Sequence, residues 1–317
     1  MSGAMFFRRR EDYRSVATVF ATLAIMAAGF AWPPATWWGK ALLCIAAAQM
    51  SFVCAVISHN TMHVPIFRQK PLNKAMQVLL TLATGDPVSA FVPSHNLGHH
   101  THLQTAKDAM RTSKLRFRWN LLNQLLFTFV VGRDVMMGTY RYIWAMRNRK
   151  RTWFNQWALE MSALVLVFAI LPFVSLQSFV LYVFVPYIFS SWGIIGINFV
   201  QHDGCDANHK YNHSRSFTGA LTNWWTFNNG YHAIHHEFPG MHWSELPAAH
   251  RERLGPHIHP SLDQKSLILY CIRAYVWPGQ RLTYDGHPVV LPDPVPDATW
   301  VPQPRKMPAS VSLGAEG

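Results

Sequence analysis

The sequence predicts an all-α integral membrane protein: four transmembrane helices with a cytoplasmic helical cap that holds a histidine-rich site for two metal ions. Three observations predict it. The 317 residues are 50% hydrophobic and only 14% charged, and the apolar residues come in blocks. The Lys and Arg residues that produce the +12 formal charge crowd into particular connections between blocks. Nine histidines fall into four clusters, His59/His63, His95/His99/His100, His202 and His232/His235/His236, each beside a long apolar segment.

A transmembrane helix takes roughly 20 mostly apolar residues. Four blocks qualify, at 16–32, 38–58, 158–176 and 178–200. The first is short, with Tyr13 and Trp32 as interfacial markers at its ends. Arg8, Arg9 and Arg10 before it also suit a cleaved signal peptide, but the run exceeds an ordinary signal core and no small-residue cleavage site follows. Segment 74–92 is apolar but broken at Gly85-Asp86-Pro87, which predicts a half-inserted or interfacial helix instead of a fifth crossing. In 121–137, Leu122, Leu125, Leu126 and Phe129 recur at helical spacing opposite Asn123, Gln124, Thr128 and Arg133, the pattern of an amphipathic helix in the interface. Residues 1–284 form one integrated domain in this reading. The tail 285–317 carries seven prolines and is expected to be an extended or disordered end.

Charge orients the chain. Residues 59–157 hold fourteen Lys and Arg against Asp86, Asp108 and Asp134, whereas 33–37 and 175–177 hold none. The positive-inside rule makes 59–157 cytoplasmic, and with four spans the N-terminus and 201–284 share that side. All four histidine clusters then meet on the cytoplasmic face, in a bacterial inner membrane by expectation.

Histidines three or four residues apart stack on one face of a helix. His59/His63, His95/His99 and His232/His235/His236 can each offer nitrogens to one ion, while His100 lies about 100° around the helix from His99. That divergence predicts two ions. A structural zinc site closes with about four ligands, usually including cysteine, so nine imidazoles are too many for it. His209, His213, His242, His250, His257, His259 and His287 follow no such spacing and are expected to be surface or hydrogen-bonding residues. Trp224, Trp225, Tyr231 and Trp243 read as interfacial packing.

The order HxxxH, HxxxHH, Asn198-Phe199-Val200-Gln201-His202 and HxxHH, interleaved with two hydrophobic hairpins, resembles the membrane fatty acid desaturase superfamily, whose relatives include acyl-chain hydroxylases and carotenoid ketolases. Asn229-Gly230-Tyr231, Phe238-Pro239 and Leu246-Pro247 around the last box are similar to its acyl-lipid branch. The resemblance implies two non-haem iron ions on the nine histidines, a metal-bound water held by Asn198, O2 as co-substrate, and no catalytic side chain beyond the metal centre. It implies desaturation of a long acyl chain drawn from the bilayer, with hydroxylation or ketolation of an alkyl, acyl or terpenoid chain as the alternative.

A ligating histidine needs an acceptor for its other nitrogen, so His102, Asp108, Asp203, Glu237 and Glu245 are candidates to support the ligands. A metal transporter or sensor is the reading from another class, but it needs ionisable residues through the middle of its spans, where only the uncharged Gln49 stands, with Glu160 near one end. Cys44, Cys54, Cys205 and Cys271 make no CxxC pair and no GxGxxG occurs, so electrons must come from a separate ferredoxin, rubredoxin or b-type cytochrome with its reductase. The basic surface suits such acidic partners or anionic lipids, and no nucleic-acid-binding motif accompanies it.

Overall fold

The computed structural model describes residues 6–301. Among the described residues, four helices are long and apolar enough to cross a membrane. α1 is Tyr13–Ala31, whose candidate span begins at Arg10. α2, Trp37–His63, starts at Thr36, whose Oγ1 accepts the Gly39 amide. It runs past the expected end because no Gly or Pro interrupts it before Pro65. Val64, extended as residues before proline usually are, stops it just after the first histidine pair.

α3, Lys70–Thr84, has Pro71 in its first turn, where the missing amide costs nothing. Gly85 ends it at φ 82°, and a Cβ there would sit 2.3 Å from the Tyr187 ring, so only glycine fits. The chain then turns by 92° into the segment from Val88 to His102, which contains a π-helix at Val92–His99. The excursion starts just beyond His63, and it ends with His95 beside His63 and His99 against His202. Both ends therefore lie at one end of the bundle, and the segment dips in and returns.

α4, Asn120–Met146, runs nine residues beyond its expected end. Its Leu125 and Phe129 are exposed, whereas the polar face packs on protein: Gln124 Nε2 donates to Gly196 O and Thr128 Oγ1 to Trp192 O. Sequence periodicity detects two faces but does not say that the polar one meets another helix. α5 is Arg151–Val174 and α6 is Leu176–His202, with a π-turn at Val180–Phe184. On α5, Val165, Leu166 and Ile170 face outward as a lipid-facing stripe should, while buried Glu160 accepts the Ser89 amide at 2.8 Å and its hydroxyl at 3.0 Å. That pair anchors the returning segment to a span.

The core is shared among spans, with Val19, Val53, Ile57 and Leu80 joining α1, α2 and α3. Beyond His202 the chain folds back over the same end of the bundle. Arg215, 3% exposed, donates to Val200 O and Asp203 O. A short helix, α7, spans His232–Glu237, and Leu267–Val276 is apolar. From Asp285 to Val301 the chain has no helix or strand, yet it is fastened: Asp297 pairs with Arg111 and Lys114, and the Ala298 amide donates to Ala106 O at 2.8 Å. Residues 302–317 lie outside the described residues.

Candidate metal centre

All nine clustered histidines converge at the end of the bundle where α2 and α6 finish. They divide into two sets: His59, His63, His95, His100 and His235, and His99, His202, His232 and His236. Within each set the available nitrogens all lie within 4.8 Å of one another. The pairing differs from a plain α-helical expectation in two places. His95 joins His100, not His99, because the π-helix at Val92–His99 widens the turn and brings the fifth residue back onto the same face. In α7 the four-residue pair His232/His236 stays together, and His235 reaches the other set.

Several imidazole nitrogens meet head on. His202 Nε2 lies 2.8 Å from His232 Nε2 and 3.2 Å from His99 Nε2, and His100 Nε2 lies 3.0 Å from His95 Nε2 and 3.2 Å from His235 Nε2. A neutral ring has one N–H to give, so hydrogen bonding cannot satisfy all of these contacts. Ligand nitrogens bound about 2.0–2.1 Å from a shared ion stand roughly 3 Å apart along a polyhedron edge. The donor set is therefore one that a metal ion fits. Its all-imidazole, thiolate-free character suits iron, zinc, copper or nickel.

Burial keeps the rings in their ligating form. His232, His235 and His236 are held well below the usual imidazole range, first by loss of water and then by neighbouring histidines, so they remain neutral. His99 Nδ1 lies 3.0 Å from Asp108 Oδ2, with both side chains fully buried. Donation there leaves His99 Nε2 free to ligate. Burial alone would raise the Asp108 carboxyl, but the His99 ring and the amides of Gln104 and Met110 hold it below the ordinary carboxylate range. His202 Nδ1 is 3.2 Å from the His213 carbonyl, and His59 Nδ1 is 3.2 Å from Asn60 Oδ1.

The other expected supporting residues are engaged elsewhere. Asp203 is gripped by Arg281, whose Nη1 also donates to Leu115 O at 2.6 Å. Glu245 pairs at the surface with Arg9, Glu237 is exposed, and the His102 ring packs edge-on against Trp300. Each stands next to or near a box in sequence, but the helix geometry turns it away. His213 is a residue the sequence spacing misses: it is buried, its carbonyl faces His202, and its ring lies 5.7 Å from that of His236. No box spacing marks it. His242 and His250 are buried too, His242 beside Asp12, whereas His209, His257, His259 and His287 are exposed.

A cavity of about 490 Å³ opens from the histidines, within the range of ligand-holding pockets. His59, His95, His232 and Asn198 line one part of it, and Met110, Val135, Met136, Ile143, Ile194 and Ile195 supply apolar wall. Asn198 is buried, and its Nδ2 donates to Met110 O at 3.1 Å. A comparison with protein families matches residues 35–262 to the family described as Fatty acid desaturase. No individual curated protein matches the chain.

Proposed function

Because the chain belongs to the fatty acid desaturase family, we propose that it is an O2-dependent membrane oxidoreductase that introduces a double bond into a long acyl chain of a bilayer lipid. The observation that carries the reading is the division of nine buried or half-buried imidazoles into two metal-sized sets beside a mostly apolar cavity. Two iron ions fit these sets, one on His59, His63, His95, His100 and His235 and the other on His99, His202, His232 and His236. When bound, they supply the dioxygen-dependent oxidation of an unactivated methylene that no amino-acid side chain performs.

The chain's own residues position and protect. Asp108 fixes the His99 tautomer, and the His213 carbonyl does the same for His202. Asn198 lines the cavity together with His59, His95 and His232, and would hold a water on a bound metal. The apolar walls draw a methylene chain out of the bilayer and keep bulk water from the reacting carbon. Electrons come from an external ferredoxin, rubredoxin or b-type cytochrome with its reductase, since the four cysteines are unpaired and dispersed. The centre faces the cytoplasm of a bacterial inner membrane, the side on which basic residues accumulate.

Mass spectrometry of lipids from cells expressing the chain tests the proposal, with His235→Ala as control. A new product two mass units lighter than a host acyl chain, absent from the control, is expected. A product gaining one oxygen would replace desaturation by hydroxylation. An unchanged lipid profile with electron donor supplied would overturn both.

A further inference from the structure

One group in the cavity is not accounted for by a plain acyl chain. Ser191, Ile194, Ile195 and Asn198 line it from one face of α6, as their spacing of three, four and seven residues requires. Seven residues at 1.5 Å each place Ser191 roughly 10 Å from Asn198, and eleven place it roughly 16 Å from His202, about half of a hydrocarbon core of about 30 Å. At that depth Asp86 lines the cavity, and its Oδ2 accepts a hydrogen bond from the Ser191 hydroxyl. Among the described residues, no donor reaches Oδ1.

A carboxyl at membrane depth is costly, and an intramembrane ionisable group is by default a functional one. A methyl-ended chain would be better served by Leu or Ile at this position. A fixed acceptor instead favours a ligand that brings a donor, and sites built on such a hydrogen bond discriminate strongly against analogues lacking it. The neighbouring Thr128 hydroxyl spends its proton on Trp192 O, whereas Asp86 presents a carboxyl oxygen that no donor reaches among the described residues. An ammonium would bring three donors to one open oxygen and leave two buried and unpaired, whereas a hydroxyl brings one.

We propose that the substrate is a hydroxylated lipid whose alcohol donates to Asp86, roughly 10 Å from the carbon held near Asn198. This rests on the cavity being the chamber of the oxidation proposed above. Equilibrium binding of tritiated octadecan-1-ol, octadecane and octadecan-1-amine to the detergent-purified protein tests it without turnover. Octadecan-1-ol should bind about tenfold tighter than octadecane, the size of one net hydrogen bond. Asp86→Leu should erase the difference, and Asp86→Asn, which keeps an acceptor, should retain most of it. Equal binding of alcohol and alkane, or preference for the amine, would overturn the hydroxyl assignment. Gly132 lines the cavity with open space where a Cβ would stand, so Gly132→Phe should weaken all three probes. If it weakens none, the chamber reading fails with the proposal; if it weakens all while Asp86→Leu changes nothing, only the hydroxyl assignment falls.

Discussion

Asp108 is fully buried, and its carboxylate meets His99 Nδ1 and the amides of Gln104 and Met110. Removing such a support typically costs 10–100-fold in metal affinity, so Asp108→Ala should lose iron to a chelator at about that much lower chelator concentration. Glu245→Ala breaks only an exposed pair with Arg9, which is worth under about 1 kcal/mol, and should hold iron as the parent does. His213 gives a pH signature. Burial, and then the His209 ring, push it from 6.5 down to about 4. As pH falls the unfolded chain takes up this proton first, so stability present above 6.5 drains away as pH falls towards about 4. Urea midpoints at pH 7 and pH 4.5 should therefore differ less for His213→Gln than for the parent. An equal difference would remove His213 from the account.

At the scale of elements, the apolar blocks and the bend at Gly85-Asp86-Pro87 were legible because length, hydropathy and a glycine–proline break are local properties. Which histidines share a set was not. The π-helix that pairs His95 with His100 follows from how Val88–His102 is held between spans, and no residue type announces it. The tail was illegible for a related reason. Its prolines do forbid a helix, but Asp297 closes a cluster with Arg111 and Lys114, and Lys114 also pairs with Asp134 on α4. Arg111 is 5% exposed, so leaving it unpaired is costly. Asp297→Ala should lower stability by on the order of 2 kcal/mol and open the 104–116 loop, which carries Asp108, to protease. Unchanged cleavage there would show that the tail does not brace the site.

For the whole molecule, the site exists only because α2, the returning segment, α6 and the region after His202 all finish at one end of the bundle. Cysteines placed at Lys70, Lys107, Arg147 and Lys265 should therefore all label from the cytoplasm, and a label on Lys107 alone from the opposite side would separate the first and second boxes. The proposed function requires two metal ions per chain, one on five histidines and one on four. Elemental analysis of detergent-purified protein measures it most directly. Two irons per chain are expected; one zinc and no iron would overturn the proposed function.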